Sequence, residues 1–431
     1  MRYDLISSGQ FSDRRLNFIK KMKPGAIAVF YSNDLMPRSA DQYFPFRQDS
    51  ALFALSGLDQ PGTILILYPD AKKNQLKEIA FILPPDPEHA IWNGDRLQQA
   101  DAKKISGIGT IKTLDEWDKI MPALFRTANS IYINNREQDR FHAEIPSQND
   151  RKAGELKKSY PTQTFLKTQP ILRDILMIKH PGEIELMKRA VEVTGLAFDR
   201  VLKTIKTNSK EYEVEAELSY ILSRNGCTHA FEPIVASGKS ACTLHYIRND
   251  QVIRPGTLVL LDFGAEYAYM ASDMTRTIPV SGKFSKRQRQ VYTSVLKVLN
   301  EITSMMNPGI TIDQLNKEAG KLIEQELLLL KIITQRDVRN QAKSNPVWKK
   351  YFMHGVTHHL GYDVHDISNR SAPLKPGMVL TCEPGMYIPG ENIGIRLEND
   401  ILITRKGSLN LMESIPIHPD EIESHLNTRH G

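Results

Sequence analysis

Along the first part of the chain, short apolar runs alternate with longer stretches of helical periodicity. Ala26–Tyr31, Thr63–Tyr68, Glu78–Leu83 and Ser130–Ile133 are rich in Ile, Val, Leu or Phe and have turn residues nearby. That pattern predicts buried strands. Ser12–Met22 and Asp115–Thr127 lie between them and read as helices. Together they predict an α/β layer structure around a buried sheet. From Arg151 to Gln169 the pattern lapses into polar and basic residues, with Pro161 and Pro170 interrupting. A domain seam is expected near residue 172, giving domains 1–172 and 173–431.

The second part has a different grammar. Pro181-Gly182-Glu183 opens an amphipathic helix with Ile184, Met187, Val191, Phe198 and Leu202 at helical spacing, and proline suits a first helical turn. A second helix starts near Glu211, with Val214, Leu218, Ile221 and Leu222 on one face and Gly226 as its stop. Ser285 and Thr311 are each followed three residues later by Gln, the spacing of a capping box. Strand-and-hairpin segments lie between the helix pairs: Thr257–Phe263, Ala268–Val280, Met378–Glu383 and Gly394–Thr404. Arg254-Pro255-Gly256 leads into one and Lys375-Pro376-Gly377 into another. At an offset of 121, Asp262 falls on Glu383 and Gly264 on Gly385, and a second acid follows in each half, Asp273 and Glu398. The pattern is an internal duplication facing itself across a shared site, in an α+β domain.

Composition adds limits. The chain has 431 residues, 41% hydrophobic and 25% charged, which excludes a disordered or fibrous class. The net charge of +6 is scattered. Clusters such as Lys203, Lys206 and Lys210 read as a solvated helix face, with no nucleic-acid motif beside them. Three cysteines, Cys227, Cys242 and Cys382, are too few for a disulfide framework and favour a reducing compartment. No run approaches the ~18 apolar residues of a membrane helix, and Met1–Arg15 lacks a signal peptide's apolar core. The expectation is a cytoplasmic protein without nucleic-acid or membrane partners.

Some motifs lead nowhere. Ser237-Gly238-Lys239-Ser240 ends like a phosphate loop but has Pro233 in place of the leading glycine. Gly107-Ile108-Gly109 has Lys112 where a dinucleotide fingerprint needs glycine. His354 and His358 lack the glutamate of a zinc-protease helix, and no Gly-x-Ser-x-Gly surrounds a serine. The acids differ. Asp262 ends the apolar run Thr257–Leu261, Asp273 lies in the strand-like Met270–Ile278, Glu383 closes Met378–Cys382, and Glu398 follows Gly394–Leu397. Each alone could be a satisfied core acid. Four converging acids would need cations, and Arg276 and Arg396 supply only part. A dinuclear metal centre is the economical solution. His358 would add one nitrogen to this oxygen-rich set, which favours Mn(II), with Co, Fe or Zn able to replace it. Two metals ~3.5–4 Å apart bring a bridging water's pKa toward neutrality, so a hydrolase is expected. His245, His354 and His365 are candidates for holding substrate carbonyls or the tetrahedral intermediate.

These residues resemble the pita-bread metallopeptidases: methionine aminopeptidase, prolidase and aminopeptidase P. The family's Asp, Asp, His, Glu, Glu order is matched by Asp262, Asp273, His358, Glu383 and Glu398. The resemblance implies that Asp262 binds one metal, that Asp273 and Glu398 bridge both, and that His358 and Glu383 hold the other. It makes Glu383 the proton carrier for a bridging hydroxide's attack. His245 and His365 would be the two substrate histidines, His354 and Tyr387 pocket residues, and Arg396 the group that orients Asp262 and Glu398. Two further motifs resemble the aminopeptidase P N-terminal domain: Asp41–Gly57, with its aromatic run, and Glu88-His-Ala-Ile-Trp92-Asn-Gly94-Asp-Arg96. Either can also be structural, Trp92 as an anchor between elements.

The implied activity is removal of the first residue from peptides with proline second, by a homo-oligomeric enzyme, a dimer or tetramer. A Xaa-Pro dipeptidase is the nearest rival. A metal-free pita-bread binding module and a creatinase-type amidinohydrolase both lack metal ligands that this chain has. One departure is the short stretch Ile367–Leu374 between His365-Asp366 and Lys375-Pro376-Gly377, which bears on reach beyond the first two substrate residues.

Overall fold

The computed structural model describes residues 3–135 and 144–427. One compact unit spans Asp4–Leu176; the other runs from Met177 onward and includes Tyr3.

The first unit is built on a six-stranded sheet. Its order is Thr110–Thr113, Glu78–Ile82, Ile64–Leu67, Ala26–Tyr31, Ser130–Ile133 and Thr164–Lys167. Three of these strands form an antiparallel meander, and the other pairings are parallel. Every residue of Ala26–Tyr31 is buried, which is why this central strand is apolar without alternation. Trp117, Phe125 and Phe81 pack on one face of the sheet.

Two places differ from what the pattern suggested. The polar stretch from Arg151 contains regular structure. Gln148–Ser159 is a helix capped by Ser147 and Asp150, and Thr164–Lys167 is an edge strand. An edge strand and a one-sided helix bury too few residues to show in an apolar pattern. Trp92 is not an internal anchor: it lies on the helix Pro87–Asn93 and is 80% exposed.

In the second unit the helices Pro181–Thr204 and Glu211–Arg224 pack together. Lys286–Met305 and Ile312–Leu329 start at the predicted capping boxes, Ser285 with Gln288 and Thr311 with Gln314. One strand plan occurs twice. Leu258–Phe263 pairs with Met274–Pro279, with the hairpin Ala265–Tyr267 and Met270–Ala271 between them in sequence. Val379–Cys382 pairs with Asn399–Thr404, with the hairpin Gly385–Ile388 and Ile393–Arg396 between them. The halves are stitched by Glu398 N–H to the Thr275 carbonyl at 3.1 Å and Arg276 Nη1 to the Glu398 carbonyl at 2.6 Å. Asp273 and Glu398 do not lie inside strands. Each occupies a break between two strands, where the pleat no longer fixes the side chain's face. Among the described residues no helix is long and apolar enough to cross a membrane.

Gly264 shows how tightly this break is built. A Cβ there would lie 1.7 Å from the Ser272 carbonyl oxygen, beside Asp273. Gly264→Ala is therefore expected to lower unfolding stability by about 3 kcal/mol, as overpacking does. An unchanged urea midpoint would contradict this close approach.

Candidate metal centre and its surroundings

The strand ends bring the acids together. Asp273, His358 and Glu398 each offer a ligand atom, and these atoms lie within 4.8 Å of one another. His358 Nε2 is 3.4 Å from Asp273 Oδ2 and 3.7 Å from Glu383 Oε1. Local pairing sets this: Thr381 N–H donates to the His358 carbonyl at 2.9 Å, and Glu383 N–H to the Val356 carbonyl at 2.9 Å. The Asp273 amide donates to the buried Asp400 at 3.2 Å. Thr275 donates its hydroxyl to Glu398 at 2.6 Å. Asp262 lies directly across from Thr275 in the strand register. Arg396 holds one oxygen of Asp262, while the other is buried and has no hydrogen-bond partner.

The arrangement fits a divalent cation. Burial first, then neighbouring carboxylates, pushes the acid groups of Asp273 and Glu398 well above their ordinary range. Arg276 forms no direct ion pair with them. It is spent on the carbonyls of Thr275, Glu398 and Pro416 and on the Asn399 side chain. His358 has the right tautomer for a ligand. Nδ1 faces the His359 carbonyl at 3.0 Å, which can only accept, so in the neutral ring Nε2 keeps its lone pair toward the acids. The orphaned Asp262 oxygen is a further open donor position.

The other predicted residues surround this cluster. His354 Nδ1 faces the Gly355 carbonyl at 2.8 Å, leaving Nε2 to accept from the Tyr387 hydroxyl, also at 2.8 Å. Tyr387 in turn accepts from Arg396 Nη1 at 2.8 Å. Burial lowers the His354 pKa to about 3, assisted by the charges of Arg396, His245 and His358. His354 Nδ1 is 3.4 Å from Glu383 Oε2. The ring of His365 stands edge-on to His358, with centroids 4.5 Å apart. His245 is exposed on its loop.

Sequence reading overlooked several supports. Lys179 forms a buried ion pair with Asp366, beside His365, at 2.7 Å. Thr275 and Asp400 orient Glu398 and Asp273. The one signal in the sequence was a lysine just ahead of the Pro181 helix, and nothing there named its partner.

His359 makes the cost of this environment measurable. Its Nδ1 has no hydrogen-bond partner, and burial, then Lys179 and His358, lowers its pKa to about 3. The unfolded chain takes up a proton near pH 6.5 that the folded chain refuses. Stability is therefore intact above about 6.5 and is lost as pH falls toward 3. His359→Leu is expected to flatten this loss by about 1 kcal/mol per pH unit in the metal-free protein. Parallel acid limbs for both proteins would refute it.

Comparison with known proteins agrees with this geometry. Residues 185–405 match metallopeptidase family M24, and residues 11–132 match the aminopeptidase P N-terminal domain. The chain is 33% identical to Xaa-Pro aminopeptidase of Escherichia coli strain K12, covering 97% of this chain and 98% of that one. It is 32% identical to human Xaa-Pro aminopeptidase 3, covering 92% and 80%. The solved structure of Escherichia coli aminopeptidase P with the inhibitor Pro-Leu matches with a TM-score of 0.87 at 30% identity, over 99% of both chains. With its duplicated pita-bread half and its matching front half, the chain belongs to metallopeptidase family M24, in the aminopeptidase P group.

Proposed function

We propose that this enzyme removes the N-terminal residue from peptides whose second residue is proline. The observation that carries the reading is that Asp273, His358 and Glu398 offer ligand atoms within 4.8 Å of one another, with Glu383 and His365 beside His358 and His354 beside Glu383. Near-full-length similarity to proteins named Xaa-Pro aminopeptidase supports the substrate class.

On this reading residues 1–172 form the N-terminal domain and 173–431 the catalytic domain. Asp262 would hold one of two divalent ions, Asp273 and Glu398 both, and His358 with Glu383 the other, with Mn(II) favoured by the oxygen-rich set. Bound, the ions supply Lewis acidity and activate water near neutral pH. The remaining work belongs to side chains. Glu383 takes the proton of the attacking water and passes it to the prolyl nitrogen. His365 donates to the first carbonyl and His245 to the carbonyl after proline. Arg396 and Tyr387 keep Asp262 and His354 in place. The bond before proline has no N–H, so a site shaped to the ring gains selectivity from that absence.

A homo-oligomer, a dimer or tetramer, is in keeping with the large apolar side chains that the first unit exposes, Ile91 and Trp92 each 80% exposed and Tyr43 and Phe44 more than half. Three free cysteines are in keeping with a reducing, cytoplasmic setting.

Metal-stripped enzyme should leave Arg-Pro-Pro intact, and restored Mn(II) should release free Arg from it while Arg-Pro is cut far more slowly. Cleavage of Arg-Pro alone would move the activity to the dipeptidases. Glu383→Ala should lower kcat at least about 100-fold even at saturating Mn(II); near-normal turnover would remove its role.

A further inference from the structure

The loop that carries His245 is gripped from behind by one buried carboxylate. Glu211, in the first turn of the helix Glu211–Arg224, is fully buried and accepts four hydrogen bonds. Its Oε1 takes the amide and the hydroxyl of Ser237, both at 2.7 Å. Its Oε2 takes the Tyr246 hydroxyl at 2.7 Å and the Gln251 amide at 2.9 Å. These donors stand at the start, the middle and the end of the loop. One helical turn on, Glu215 accepts from Asn249 at 2.8 Å, and Asn249 also bonds the backbone of Pro233 and Val235. Leu244 and Tyr246, on either side of His245, pack against a cluster containing Leu260 and Tyr387. His245 itself is exposed, yet near enough to His354 for its charge to act there.

Only a carboxylate satisfies this arrangement. Each oxygen faces one backbone N–H, Ser237 on one side and Gln251 on the other, and a backbone N–H cannot turn away. A glutamine in either orientation sets its own NH2 against one of them, leaving a buried donor unmatched.

We propose that Glu211 is a positioning residue for catalysis, locking the loop from Ser237 to Gln251 so that His245 meets the substrate carbonyl. This rests on the role given to His245 above. Glu211 makes no hydrogen bond to the acid cluster or to its arginine; its bonds go to Ser237, Tyr246 and Gln251, so its main effect should pass through the loop of His245. A displacement of about 1 Å at such a contact is enough to cost a large rate factor.

The test is a double-mutant cycle on the metal-loaded enzyme with Arg-Pro-Pro, reading kcat and KM separately, together with bound metal. Glu211→Gln is expected to lower kcat/KM about tenfold or more at unchanged metal content. In a His245→Ala background the same substitution should change it less than about twofold, as coupled residues do. Tyr246→Phe, which removes one donor, should follow the same pattern more mildly and serves if Glu211→Gln does not fold. An equal loss in both backgrounds would show a general structural role and overturn the proposal, as would a Glu211→Gln enzyme of normal activity. If His245→Ala is as active as wild type, the role of His245 fails and the positioning proposal with it. A wild type that leaves Arg-Pro-Pro uncut refutes the proposed function instead, and takes this inference down too.

Discussion

Four carboxylates gathered at one place, three of them buried, repel one another, and the rest of the second unit is organised around containing them. Asp273 and Glu398 are buried and held above their ordinary acid range by that enclosure and by each other. A protein cannot keep such a cluster without cations or donors to oppose it. Arg396 supplies one charge, at Asp262, and Thr275 a hydroxyl, at Glu398. An Asp262 oxygen remains without a hydrogen bond, and His358, its Nδ1 on the His359 carbonyl, turns Nε2 toward the same space. What is left uncompensated is the shape of a cation site.

The same constraint explains the relay beside it. Burial strongly disfavours a charge on His354, so its ring serves as a neutral link between the Gly355 carbonyl and Tyr387. Arg396 then joins Tyr387 to Asp262 and Thr275. One guanidinium thereby ties the pocket wall to the acids, which an ammonium without a planar fork would not do. Further out, the buried pair of Lys179 with Asp366 braces the segment of His365. Glu211 braces that of His245.

Much of this was legible in the chain because it is local or periodic. The capping boxes at Ser285 and Thr311, the helix at Pro181 and the apolar strand Ala26–Tyr31 stand where pattern placed them. The repeat at an offset of 121 anticipated two strand-hairpin-strand units. Pattern was silent where burial was slight: the helix Gln148–Ser159 and the edge strand after it left only a polar, basic stretch. It failed at Trp92, since hydrophobicity alone does not say whether a large side chain faces the core or the solvent.

The sequence by itself determined the types and chain order of the chemical groups, the spacing of the repeat, and the helices with their caps, because each is settled by residues near one another in the chain. The tertiary structure alone decided that Asp273 and Glu398 sit at strand breaks and that Arg276 serves the backbone while Arg396 serves Asp262. It alone joined Lys179 to Asp366 and Glu211 to the loop of His245. Those outcomes depend on donors and acceptors far apart in sequence, and a buried polar group takes whichever partner the packed fold delivers.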